Sequence, residues 1–263
     1  MIRLFDTHYI REIRELDGMW DFYMEDFGKT YRLPVPGCWE QHPDFMQHRG
    51  KGTYIKKVYI KNGGNIRLEF KGVSHSADVY FDGEKIVHHY NAFTPFSALV
   101  KNVAAGEHEI KVEVDNTFGE HSALHIPNDY YTYGGITRPV SLEIVPDVYI
   151  KNIRFTPYIS DGKWNAKTEV RLHNLSSEPL KAEIKVTLGS FSRSATVSIN
   201  GESEKDFVID TVFEDVRSWS NEDPALYMLN ATLAVNGEET DDLIERVGFR
   251  TVEVRDTRIY LNG

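Results

Sequence analysis

Cysteine is nearly missing from this chain of 263 residues. Cys38 stands alone, so no disulfide can form within the chain, and a lone thiol fits a reducing cytosol. A cytoplasmic location is the expectation. Basic clusters are missing too: 30 Lys and Arg stand against 40 Asp and Glu, a formal net charge of −10, and no basic run is long enough to track a phosphate backbone. Nucleic acid is therefore not expected as a partner. No apolar run approaches the roughly 20 residues that cross a bilayer, and the first eight residues lack the continuous apolar core of a signal peptide, which argues against a membrane partner. Internal repeats and low-complexity tracts are absent, and nothing calls for a cofactor.

What the chain has in quantity is aromatics, 12% with 14 Tyr and 14 Phe, and short Val/Ile/Tyr-rich runs punctuated by Gly, Asn, Asp and Pro. That pattern predicts antiparallel sheets and an all-β fold. Ile66–Phe70, Ala77–Phe81 and Glu109–Val114 alternate apolar and polar residues, so each buries one face. A new strand series starts after Pro146, which cannot serve a central ladder. Two sandwiches are expected, at 1–146 and 147–256, each large enough to bury about two-thirds of its unfolded surface. The second, with about seven strands in ~110 residues, has the spacing of an immunoglobulin-like sandwich lacking its disulfide.

Candidate chemistry gathers in Pro127–Pro139, where Asp129, Tyr130, Tyr131 and Tyr133 precede Gly134 and Gly135. Paired glycines permit positive φ and close backbone approach, so an acid and three aromatics can be displayed on a tight turn. Aromatic rings stack on the C–H faces of sugars and a carboxylate accepts their hydroxyls, so this loop suits a polyhydroxylated ligand. A surface hairpin with a capping aspartate reads equally well from composition. Arg138 opens the next strand and is expected to brace the loop, with Asp129 as one partner.

The run Asp129–Arg138 followed by the apolar Val140–Ile144 resembles the sugar-binding domain of glycoside hydrolase family 2, nearest the β-glucuronidase branch, with β-galactosidases more distant. Leu16–Phe22, Val35–Glu40, Gly72–Gly83, Thr94–Phe96, Asp115–Asn116, Trp219–Tyr227 and Arg246–Arg250 resemble further family segments in the same order. The resemblance implies a jelly-roll sugar-binding domain followed by an immunoglobulin-like domain of a retaining β-glycosidase. It implies substrate contacts from Asp129, Tyr130, Tyr131 and Tyr133, with Arg138 in support, and a glucuronide or galactoside as substrate. Arg258–Gly263 resembles the segment that introduces the family's catalytic (β/α)₈ barrel, so 257–263 is expected to begin that connection. Both catalytic carboxyls, which a retaining enzyme holds about 5 Å apart, are then expected outside these residues, and the fragment alone is expected to be inactive. The implied partners are the barrel itself and, in the complete enzyme, further copies of the chain. A free-standing carbohydrate-binding protein is the rival reading.

Two decoys are set aside. Asn221-Glu222 imitates the family's acid/base dipeptide but sits in a Ser-Asn-Glu-Asp-Pro turn of the second domain. His121 and His125 are four apart, as in a helical zinc pair, but no third ligand with matching spacing follows, so no metal is expected. Trp20 and Trp39 are expected in the core.

Overall fold

The computed structural model describes residues 7–119 and 132–263, which divide into two compact units. Apolar residues on alternate positions give each of the first unit's two sheets one apolar face. The smaller sheet runs β1 (Glu12–Glu15), β10 (Val140–Val145), β5 (Gly64–Phe70), β8 (Phe96–Val103). The larger has six strands: β3 (Thr30–Val35), β2 (Gly18–Tyr23), β4 (Lys51–Ile60), β9 (Gly106–Asp115), β6 (Ser76–Phe81) and β7 (Glu84–Tyr90). Trp20, Phe22, Tyr54, Val79 and Val112 from the larger sheet meet Ile66, Leu68, Phe70, Val140 and Leu142 from the smaller in one core. Burying each of the larger apolar side chains contributes about 2–3 kcal/mol, so this layer dominates the unit's stability. The opposite face of β5 carries Arg67, whose guanidinium bonds Glu143 at 2.5 Å on β10 and lies 3.4 Å from Glu69. These pairs let a doubly covered strand keep charged residues.

The second unit is also a sandwich. A three-stranded sheet runs β11 (Val148–Ser160), β12 (Lys163–Asn174), β15 (Ser203–Phe213). It shares a core with the four-stranded sheet β14 (Phe191–Ile199), β13 (Leu180–Leu188), β16 (Tyr227–Val235), β17 (Glu238–Val247). These seven antiparallel strands form the expected immunoglobulin-like sandwich. Phe249 is its aromatic hub, with ring centroids of Phe213, Phe155, Tyr227 and Trp164 at 5.1, 5.3, 5.5 and 5.8 Å. β17 stops at Val247, and Phe249 just beyond it is fully buried in this hub. A hairpin of β18 (Val252–Arg255) and β19 (Arg258–Leu261) follows. Asn262 ties it down by accepting from the Thr251 amide at 3.0 Å and donating to the Trp219 carbonyl at 2.9 Å.

The segment 7–12 clusters with this second unit, not with the residues that follow it in sequence. Two adjacent acids of β17 account for that. Asp242 accepts the amides of Tyr9, Ile10 and Arg11 at 2.6, 2.9 and 3.2 Å. Asp241 takes the Arg11 guanidinium at 2.7 and 2.9 Å and the Ile150 amide at 2.6 Å. Arg11 also donates to the Ile150 carbonyl at 2.6 Å, and both side chains of the pair are buried.

Candidate functional site

The described part of the predicted loop, 132–139, is tethered from four directions in the first unit. The first tether runs through Trp39, whose buried ring lies under Gly134 and whose amide donates to the Gly134 carbonyl at 3.0 Å. A β-carbon on Gly134 would sit 2.0 Å from Trp39 Cζ2, so only glycine permits this approach. Gly135 adopts φ +129 and pairs with Ser74 through amide–carbonyl bonds of 2.9 and 3.0 Å. The third tether is Glu40: its carboxylate accepts the Gly134 amide at 2.9 and 3.1 Å and the Asn116 side-chain amide at 3.2 Å. Asn116 also donates to the Thr132 carbonyl at 3.2 Å, and its own carbonyl oxygen accepts from the Gly50 amide at 2.9 Å. Fourth, Arg49 bonds the Thr132 hydroxyl while its guanidinium stacks 4.0 Å over Phe118.

Burial dominates the electrostatics beneath the loop. It pushes the Glu40 carboxyl above the usual carboxylate range, opposed chiefly by the Gly134 amide. It pushes the Cys38 thiol and the Tyr54 phenol up as well, with the Glu40 charge adding to both. His75, buried edge-on against Tyr90 at 4.8 Å, is held below its ordinary value by burial and then by His89. The floor is thus a dry hydrogen-bonded platform, and its chemistry is positional: it fixes backbone and displays side chains outward.

Three aromatics are displayed at this end of the unit: Tyr133, 53% exposed; Phe93, 67%; and Tyr90, 43%. Arg138 links two of their segments, since its guanidinium donates to the Phe93 carbonyl at 3.2 Å and its stem packs against Gly72. The Phe93 amide in turn bonds the Asn91 side chain at 2.8 Å. Three exposed rings therefore stand on backbone that neighbouring side chains hold in place.

Of the residues singled out in the sequence, Tyr133 and Arg138 lie on the described part of the loop, whereas Asp129, Tyr130 and Tyr131 lie outside the described residues, as do His121 and His125. Glu222 is exposed on a turn of the second unit, closed by the Ser220 hydroxyl accepting from the Asp223 amide at 2.9 Å. Trp20 and Trp39 are core residues, as expected. Among the described residues no cluster of three His, Cys, Asp or Glu side chains could hold a metal ion. No described helix is long and apolar enough to cross a membrane. The residues missed were Glu40, Asn116, Arg49, Phe93 and Tyr90. Glu40 ends the motif Val35–Glu40 and Asn116 ends Asp115–Asn116, so polar residues at motif ends were the available signal.

The described chain is thus a jelly-roll sandwich with an anchored loop followed by an immunoglobulin-like sandwich. Residues 30–146 match the sugar binding domain of glycosyl hydrolases family 2, and residues 148–250 match a second model of glycosyl hydrolases family 2. The chain belongs to this family and corresponds to the amino-terminal domains of its β-glucuronidases and β-galactosidases. It is similar to a β-galacturonidase from Eisenbergiella tayi, solved with galacturonate, at 42% identity and a TM-score of 0.91, covering 100% of this chain and 47% of that one. A β-galactosidase of Thermoanaerobacter pseudethanolicus is 30% identical over 281 residues, 96% of this chain and 37% of the relative. A β-glucuronidase of Streptococcus agalactiae is 25% identical over 96% of this chain and 46% of its own length. The chain thus spans less than half the length of each of these relatives.

Proposed function

We propose that the chain forms one wall of the substrate pocket of a retaining β-glycosidase whose two catalytic carboxyls lie in a further domain, and that the glycone is a uronic acid, with galacturonide the leading form. The observation that carries this is the four-way tether of 132–135. A backbone held by Trp39, Glu40, Asn116, Arg49 and Ser74 is pre-organised, and pre-organisation is what a substrate-contacting loop needs to contribute binding energy. The 42% identity to a protein solved with galacturonate supports the choice of uronide. The wall is contributed by Tyr133 from the described residues, with Asp129, Tyr130 and Tyr131 just before it, and Arg138 holds the loop.

The second sandwich acts as a brace. Its β18–β19 hairpin pairs Val252 with Leu261 and Val254 with Ile259, so four apolar side chains share one face, and all four are exposed. That face is the contact for the catalytic domain of the longer protein. A cytosolic setting and self-association of the complete enzyme belong to the same reading.

The test is kinetic, in the complete enzyme with nitrophenyl β-galacturonide. A carboxylate accepting a substrate hydroxyl contributes about 1.5–3 kcal/mol, so Asp129→Ala should lower kcat/KM about ten- to a hundredfold with little change in Tm. Unchanged kcat/KM would remove the loop from the pocket. Faster turnover of the β-glucuronide than of the galacturonide would overturn the sugar assignment.

A further inference from the structure

The outer face of the six-stranded sheet holds a cavity of about 460 Å³ with Lys51, Ser76, Asp78, Tyr90, Glu113 and Asp115 among its lining. Strand register explains this set. Lys51 pairs with Asp115, Asp115 with Ser76 and Ser76 with Tyr90, so one row crosses four strands. A second row, two residues along and therefore on the same face, runs Thr53, Glu113, Asp78, His88.

Position ties this face to the loop. Lys51 follows Gly50, and Asp115 precedes Asn116, the residues joined to each other at 2.9 Å and, through Asn116, to Thr132. Ser76 lies two residues beyond Ser74, which pairs with Gly135. The first row thus begins where the tethers of the loop end, and a chain of sugar units leaving the loop would run along it.

Charge decides the kind of ligand. Asp78 has Lys85 at 2.7 Å and His88 at 2.5 Å. Glu113 has Lys111 at 2.8 Å and the Tyr80 hydroxyl at 3.0 Å. Asp115 accepts from Thr117 at 2.7 and 2.8 Å and has Lys51 as its cross-strand neighbour. Three acids stand among three lysines, Lys51, Lys85 and Lys111, so the face carries little net charge, yet it offers carboxylate acceptors, a lysine donor and the Tyr90 ring. Tyr90 is fixed edge-on to His75, with an interplanar angle of 84°, and remains 43% exposed. A ring of fixed direction above a polar floor is a stacking platform for a pyranose, and the volume falls within the range of small-molecule sites.

We propose that this sheet face is a subsite for neutral sugar units of an oligosaccharide, adjoining the loop at Thr132–Gly135. It rests on the loop reading for its orientation, but binding to the face is measurable without catalysis.

The experiment is a titration of the isotope-labelled 263-residue chain, followed by amide chemical shifts. The probes are neutral β-1,4-galactotriose, methyl β-galactoside as the single unit, and trigalacturonate as the charged comparator. Galactotriose should shift the amides of Lys51, Ser76, Tyr90 and Asp115 with a Kd at least about tenfold below that of the single unit. Tyr90→Ala, at an exposed position, should raise that Kd about tenfold, and Tyr133→Ala should leave the sheet-face shifts in place. Absence of sheet-face shifts at millimolar galactotriose, retention of affinity in Tyr90→Ala, or tighter binding of trigalacturonate would each overturn the proposal. The loop reading would stand or fall separately on the kinetics of Asp129→Ala in the complete enzyme.

Discussion

Gly134→Ala is the sharpest perturbation of the loop platform. The added β-carbon would meet Trp39 Cζ2, Cε2 and Cη2 at 2.0, 2.4 and 2.6 Å, all below any tolerable carbon contact. Trp39 has no room to retreat: its ring is buried, its Nε1 donates to the His48 carbonyl at 3.3 Å, and Phe22 packs against it at 5.9 Å between centroids. Either the core accommodates the methyl by overpacking, at about 1–3 kcal/mol, or the loop lifts and strands the Glu40 carboxylate without its Gly134 amide, at about the same cost. Both routes should lower the melting temperature of the first unit by roughly 3–12 °C, read by differential scanning calorimetry. Near-UV circular dichroism separates them, since overpacking changes the tryptophan environment and lifting relaxes it. Tyr133→Ala, one residue away and exposed, should leave both signals unchanged. A Gly134→Ala protein melting within a degree of the parent chain, with an unaltered spectrum, would refute the tether as drawn.

Other consequences follow from the buried and paired charges. Arg11→Met leaves Asp241 buried without its cation and should destabilise the second unit by about 3–5 kcal/mol, so a chain beginning at residue 13 should show the same early calorimetric transition while the first unit melts normally. The His108 imidazole is raised above its ordinary value by the Asp82 carboxylate, while Asp82, despite burial pushing it up, is drawn below its own by His108 and the Glu109 amide. The pair therefore stabilises most between the ordinary carboxylate and imidazole values. It fades as pH rises through the His108 pKa or falls through that of Asp82, and in Asp82→Asn the His108 NMR titration should move back down. His75, held neutral by burial, must protonate to follow the unfolded chain. Stability should drop as pH falls below about 6.5, and His75→Phe should flatten that limb in urea melts at a series of pH values.

The strands were legible because their faces differ. Alternation in Ala77–Phe81 and Glu109–Val114 is a direct image of one wetter and one dry side in β6 and β9, and that in Ile66–Phe70 marks the apolar face of β5, whose other face buries the paired charges of Arg67 and Glu69. Seven strands after Pro146 were legible for the same reason. The place of 7–12 was not, because what holds it is a pair of aspartates more than 200 residues away, and no local pattern in His8–Arg11 announces that Asp242 will accept three of its neighbours' amides. The hub at Phe249 was not legible either, because its four ring partners come from Phe155, Trp164, Phe213 and Tyr227, all distant in sequence.

The candidate site divides along the same line. Aromatics and glycines in Tyr130–Gly135 advertise a display loop through composition, which local sequence carries. The anchors do not, because Glu40 and Asn116 are ordinary polar residues until the fold brings them within 3.2 Å of each other beneath Gly134. A buried carboxylate is costly unless its oxygens are satisfied, and Glu40 accepts from a backbone amide 94 residues away and a side-chain amide 76 residues away. That arrangement makes Glu40 a register pin joining three segments, and it yields a distinction that stability alone would miss. Glu40→Gln keeps the volume but sets an amide donor against the Gly134 amide whichever way the side chain turns, because both carboxylate oxygens face that amide. In the complete enzyme it should therefore lower kcat/KM through a misplaced Tyr133 even where calorimetry shows only a small loss. Equal kcat/KM with a large fall in Tm would make Glu40 a stabilising residue with no part in positioning the loop.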